Sequence, residues 1–134
     1  MMHRNRKLKR EDLLYPELSY QIIGILFEVY NKLGPGYQER YYYQAIITAF
    51  EEINLPYQAQ VKIKIIFKGK EINRFVDFMI DNKIILEIKK GERFFKNNID
   101  QIYSYLKITN LKLGILANFT RQGIQFKRIV NIRN

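Results

Sequence analysis

The chain has 134 residues, enough for one domain around one hydrophobic core, and its 47% hydrophobic and 14% aromatic content is that of a folding globular chain. Its 23 Lys and Arg outweigh 13 Asp and Glu, a formal charge of +10 that favours anionic partners, nucleic acid first among them, although the same surplus also serves solubility. No Cys, a single His at position 3 and Ser only at 19 and 104 exclude disulfides, thiolate zinc sites, histidine clusters and bases, and Ser-His-Asp hydrolysis, leaving carboxylates, Lys and Tyr for any chemistry.

Residues 1–13 include Arg4, Arg6, Lys7, Lys9 and Arg10 and offer little to bury. They read as a basic N-terminal tail, either solvated or an arm that engages phosphates, ahead of a single domain over 14–134. The basic start runs into EDLLYPEL and not into an apolar stretch, so it is not read as a secretory signal. No apolar run approaches the roughly 20 residues of a membrane helix. A cytoplasmic protein without a membrane partner is expected.

From Tyr15 the apolar residues Leu18, Ile22, Ile25, Leu26, Val29 and Leu33 recur at helical spacing until Gly34-Pro35-Gly36 stops the helix. Tyr42, Ala45, Ile46, Ala49, Phe50 and Ile53 form the stripe of a second helix, broken at Asn54-Leu55-Pro56. The period then changes to two. Val61, Ile63 and Ile65 alternate with Lys62 and Lys64 in a strand with one wet face, Lys68-Gly69-Lys70 supplies a turn, and EINRFVDFMI returns. A turn at DNK leads into IILEIKK, the third strand. A helix over about 96–108 carries Ile99, Ile102, Tyr103 and Leu106 on one side, Leu111 to Ala117 is a short apolar strand, and Ile124 to Ile132 is a candidate last one.

Within the central hairpin, parity decides which side chains meet. Glu87 and Lys89 share a face, and a three-residue loop at Asp81-Asn82-Lys83 pairs Ile80 with Ile84 and sets Asp77 opposite Glu87, whereas a two-residue loop would send Asp77 to the other face. Asn82 suits the left-handed conformation that a three-residue loop needs. In this register Val76, Phe78, Ile80, Ile84, Leu86 and Ile88 form one wholly apolar face, and Phe75, Asp77, Met79, Ile85, Glu87 and Lys89 the other. Facing carboxylates repel, so a divalent cation or Lys89 has to compensate them; the alternative is a salt-bridged patch in water.

These residues resemble the D-(x)n-(D/E)-x-K signature of the PD-(D/E)XK nuclease superfamily: Asp77, then Glu87-Ile88-Lys89. Val76 stands where the superfamily's name has Pro. Gly36-Tyr37-Gln38-Glu39-Arg40-Tyr41-Tyr42 resembles the G-x-x-E-x-x-Y motif of the GxxExxY family within that superfamily. Gln101-Ile102-Tyr103-Ser104-Tyr105 is similar to a Q-x-x-x-Y helix motif of related nucleases, and Leu116-Ala117-Asn118-Phe119 to a strand ending in Asn-Phe. The resemblance spans about 14–132. It implies an α/β, restriction-endonuclease-like core: a mixed central sheet with a three-stranded antiparallel meander, flanked by helices.

Oxygen donors without His or Cys suit a hard cation, so Mg²⁺ or Mn²⁺ is the expected cofactor. By the resemblance, Asp77, Glu87 and the backbone carbonyl of Ile88 are its ligands and Glu39 an additional contact; helical spacing alone leaves Glu39 as an exposed carboxylate at a helix N-terminus. Lys89 would orient or deprotonate the attacking water and offset phosphate charge. Gln101 and Tyr105, one turn apart, either touch substrate or brace Lys89, or are an ordinary polar flank. Tyr41, Tyr42 and Tyr43 read as packing residues. The expected function is an Mg²⁺-dependent nuclease hydrolysing phosphodiesters, DNA before RNA, with a homodimer as one route to cutting both strands. A catalytically silent nucleic-acid-binding module is the alternative reading, and a protein-interaction module a third.

Overall fold

The computed structural model describes residues 14–94 and 96–132, so the basic tail expected over 1–13 lies outside the described residues. The elements are α1 (Pro16–Leu33), α2 (Glu39–Glu52), β1 (Tyr57–Phe67), β2 (Lys70–Ile80), β3 (Ile84–Lys90), α3 (Lys96–Thr109), β4 (Leu113–Phe119) and β5 (Ile124–Val130). The five strands form one sheet in sequential order, antiparallel except for the parallel β3–β4 pair, which α3 connects. A parallel pair requires a crossover of this kind. The result is the α/β architecture expected, with the antiparallel meander in β1–β2–β3.

Pro16 starts α1, where its missing N–H is no loss, and Gly34 closes it at φ 79° while its N–H caps the Tyr30 carbonyl. Both α1 and α2 cover one face of the sheet. There Ile22, Leu26, Tyr42, Ile46 and Phe50 pack on Phe78, Ile80, Leu86, Ile115 and neighbouring strand residues. Helix α3 covers the other face with Ile102, Tyr105 and Leu106 against Ile63, Val76, Ile85, Leu116 and Ile129. With a layer on each side, β3 and β4 are buried along nearly their whole length. Gly114 permits the close approach of α3, since a Cβ there would lie 2.5 Å from Ile102 Cγ2.

The three-residue loop is present. Ile80 pairs with Ile84, and both Asp81 and Asn82 adopt positive φ, near 51° and 52°. The face assignment needs one correction. Phe78, Ile80, Ile84, Leu86 and Ile88 line the α1–α2 core as expected, but Val76 packs into the α3 core. The cause is local: Gln60, opposite Asp77 in the β1–β2 ladder, has φ 52°, and the regular pairing lapses between Ala59↔Phe78 and Val61↔Val76. Strict alternation holds only along a regular strand, and here both strands change face. Phe75 is thereby 53% exposed.

The apolar run at 111–117 is also shifted, because Leu111 and Lys112 form the entry to β4. Their carbonyls accept hydrogen bonds from the Asn131 side chain and backbone N–H, respectively.

Candidate active site

Strands β2 and β3 separate at Asp77. The ladder runs Ile80↔Ile84, Met79↔Ile85, Phe78↔Leu86 and then stops, with Asp77 and Glu87 at the next position. Two side chains take over from the backbone at this fork. The Asp77 N–H donates to Glu87 Oε2 at 2.6 Å, and the Ile88 N–H donates to Asp77 Oδ2 at 2.9 Å. Each acid therefore satisfies a backbone donor of the opposite strand that the broken ladder would otherwise leave unpaired. This exchange brings the carboxylates together.

Glu87 is 5% exposed and sits on buried β3; Asp77 is half-buried. Burial raises the Glu87 carboxyl to about 8, with the Asp77 charge adding to the effect while the Asp77 N–H and Lys89 oppose it. Burial also raises Asp77, against the pull of the Ile88 N–H, Lys89 and a hydrogen bond from the Gln60 side chain. Lys89, half-buried two residues beyond Glu87, acts on Asp77, Glu87 and Glu39 through space. Among the described residues it forms no direct ion pair, so the salt-bridged patch is not the arrangement found.

Glu39 reaches the same site from the first turn of α2. It lines a pocket with Arg40, Tyr43, Gln60, Asp77 and Ile88, and partial burial raises its carboxyl, with Lys89 lowering it and Asp77 raising it further. The residues around it are built to hold this turn in place. Tyr42, three positions on and 1% exposed, donates its hydroxyl to the Gly34 carbonyl at 2.7 Å, accepts from the Tyr37 N–H, and stacks on Phe119 at 4.2 Å. Gly36 takes φ 101° in the preceding loop. In Gly36-x-x-Glu39-x-x-Tyr42, the Gly turns the loop, the Tyr ties it down and the Glu faces the site. Of the neighbouring tyrosines, Tyr43 stacks on Phe78, whereas Tyr41 is largely exposed beside Arg40.

Gln101 and Tyr105 lie on the α3 side, away from the Glu39 pocket. They line a separate polar groove with Ile65, Arg74, Asn97 and Ser104 among others. Tyr105 is buried close to the fork: burial raises its hydroxyl, and the charges of Glu87 and Asp77 push it the same way while Arg74 opposes them. The expected site residues thus divide. Asp77, Glu87, Lys89 and Glu39 converge, the Ile88 backbone adjoins them, Tyr105 touches their field and Gln101 stands apart.

Gln60, Arg40 and Arg74 were not singled out by the sequence, and Tyr43 only as a packing residue. A signal existed for Gln60, because the turn at Lys68-Gly69 fixes the hairpin register and places it opposite Asp77. A non-glycine residue in the left-handed region at such a position is the kind of strain that functional sites retain.

The donor set fits a hard divalent cation. Three carboxylates with raised pKa values share the through-space influence of a single Lys, all donors are oxygens, and Asp77 and Glu87 each have a second oxygen beyond the one bonded to backbone N–H. Among the described residues, however, no three acidic, His or Cys side chains are already close enough together to hold a metal ion. No described helix is long and apolar enough to cross a membrane.

No curated protein matches the chain. Among solved structures, that of SSO0001 is similar at 20% identity with a TM-score of 0.58, a likeness of fold, and the match covers 93% of this chain and 64% of that one. The chain therefore spans less than two thirds of that protein's length. A family model, described as the PD-(D/E)XK nuclease superfamily, matches residues 16–129. With that match over most of its length and with Asp77, Glu87 and Lys89 gathered where two strands part, the chain belongs to the PD-(D/E)XK nuclease superfamily.

Proposed function

We propose that this chain is a Mg²⁺- or Mn²⁺-dependent nuclease of the GxxExxY branch, hydrolysing phosphodiester bonds of nucleic acid, DNA before RNA. The observation that carries the reading is the fork itself. Reciprocal bonds from Asp77 N–H to Glu87 and from Ile88 N–H to Asp77 hold two acids together beside Lys89, in a basic chain whose anionic partners would otherwise be repelled by such a cluster. Superfamily membership supports the reaction class.

In this reading Asp77, Glu87, the Ile88 carbonyl and Glu39 would hold the cation. When bound, it supplies Lewis-acid polarisation of the phosphoryl oxygen and an acidified water. Glu87 would have to give up the proton that burial favours before it could serve as a ligand, so cation binding and deprotonation would be coupled. Lys89 contributes positive charge where the phosphate becomes more anionic and a donor that orients the attacking water. Tyr42 keeps Glu39 at the mouth of the site by fixing the loop before α2. Gln101 would contact substrate from the α3 groove, and the buried Tyr105 would act on the fork from behind through its proximity to Glu87 and Asp77.

The lack of a preformed cluster of three ligands among the described residues favours a second reading, a nucleic-acid-binding module without catalysis. One assay separates the two: cleavage of single-stranded and duplex DNA and RNA in Mg²⁺, Mn²⁺ or chelator by wild type, Asp77→Asn and Lys89→Ala. The nuclease reading expects metal-dependent cleavage that falls by about 100-fold or more in either variant, at an unchanged circular dichroism spectrum. Binding that survives in chelator, with no cleavage in any metal, supports the silent module.

A further inference from the structure

Beyond Asp77 the β1–β2 hairpin leaves the sheet as a two-stranded arm over residues 61–76, unpaired with β3. One of its faces continues the α3 core through Val61, Ile63 and Val76. The change of face at Gln60 and Asp77 turns Lys62, Lys64, Asn73 and Phe75 to the opposite side, the side of the pocket that holds Glu39 and Asp77, and all four are exposed. Lys62 pairs directly with Phe75 and Lys64 with Asn73, so the cationic and aromatic side chains stand in adjacent rows. Further along the same face Ile66 is 64% exposed.

An exposed Phe and Ile on a hairpin face that nothing covers are a liability that proteins ordinarily avoid, and here Phe75 sits two residues from Asp77. The charge around them selects the partner. On this face Lys62 and Lys64 stand against the single acid Glu71, which pairs with Ile66, and Lys68 follows at the turn, whereas Arg74 and Lys70 pair with Ile63 and Phe67 on the other face. An apolar protein partner has no use for that excess, whereas a polynucleotide uses both parts: phosphates for the lysines and a base for the ring. Phe75 has no hydrogen-bonding group with which to read a base edge, so its use is stacking, and in a duplex the base faces are already covered.

Resting on the nuclease reading and naming its substrate class, we propose that the uncovered face of this arm is a platform for single-stranded nucleic acid. Phe75 stacks an unpaired base, Lys62 and Lys64 neutralise neighbouring phosphates, and the strand is led past Gln60 to the Asp77–Glu87 fork.

The test is fluorescence anisotropy of labelled oligodeoxythymidine and of a duplex of equal length, in chelator so that binding is read without cleavage. Wild type is compared with Phe75→Ala, Lys62→Ala/Lys64→Ala and, as a control remote from the arm, Lys83→Ala. Because Phe75, Lys62 and Lys64 are exposed, thermal melts should confirm that the variants fold. Tighter binding of the single strand is expected, weakened about 5- to 100-fold by Phe75→Ala. The double Lys variant should reduce the slope of log K against log salt by roughly 1.4, and Lys83→Ala should leave the stacking contribution intact. Equal affinity for the duplex, or Phe75→Ala binding like wild type, overturns the platform. So does loss of a dimer in Phe75→Ala at unchanged oligonucleotide affinity, which would make the face a contact between copies. Stacking-dependent binding without cleavage in any metal would instead sink the nuclease reading and leave the platform standing.

Discussion

On the α1–α2 side of the sheet, Ile22, Leu26, Ile46, Phe50, Phe78, Leu86 and Ile115 make an aliphatic and aromatic core, and the buried Tyr42 hydroxyl is satisfied by the Gly34 carbonyl. On the α3 side a smaller core of Ile63, Val76, Ile85, Ile102, Leu106, Leu116 and Ile129 ends against Glu87, a carboxyl buried deeply enough to retain its proton up to about pH 8. The first layer therefore holds the molecule together, and the second gives up some stability to keep an acid in a dry place. In the proposed nuclease, burial without a full counter-charge would prime Glu87 for a cation, and the α1–α2 layer would make that burial tolerable.

The contrast is sharpest when each layer is attacked where it is strongest. Phe78→Ala removes a fully buried ring that contacts Tyr43, Phe50 and Tyr57, and should cost about 3–5 kcal/mol in denaturant unfolding. At the fork the sign reverses. Below about pH 4.5 Glu87 is protonated both folded and unfolded; between 4.5 and about 8 the unfolded chain releases the proton while the fold retains it, so stability falls as pH rises through that window. Glu87→Gln keeps an acceptor for the Asp77 N–H without the charge. It should be more stable than wild type at pH 8 by on the order of a few kcal/mol, flatten the dependence on pH and abolish cleavage.

Smaller effects probe how each layer is seated. Gly114→Ala pushes a methyl into Ile102 and should cost about 1–3 kcal/mol, largely recovered when Ile102→Ala is added, as a double-mutant cycle would show. Tyr42→Phe loses only the hydroxyl bonds to Gly34 and Tyr37, about 1 kcal/mol, yet should lower cleavage more than stability because Glu39 is no longer fixed at the site.

Much of this could be read before any coordinates. Asp81-Asn82-Lys83 has the turn chemistry for a three-residue loop, and that loop alone fixed Asp77 opposite Glu87. The helices were legible because Gly34-Pro35-Gly36 and Pro56 bracket clear apolar stripes. What escaped was the change of face at Gln60 and Asp77. Parity arguments assume a regular strand and so put Val76 on the face of Phe78, whereas it packs into the α3 core. The Gln60–Asp77 hydrogen bond and the Arg74–Tyr105 proximity were equally hidden, since both arise from where the arm leaves the sheet and not from spacing along the chain. Leu111 misled for a simpler reason: an apolar residue in a connection packs on the α3 core as well as a strand residue would.

The central claim is that the fork at Asp77 and Glu87 is a seat for a hard divalent cation, and calorimetric titration of Mn²⁺ into wild type and Asp77→Asn at pH 8 tests it most directly. Saturable binding accompanied by proton release and a raised melting temperature, all lost in Asp77→Asn, is the expected result. Wild type that takes up no more Mn²⁺ than the variant, and melts at the same temperature with and without it, would contradict the account.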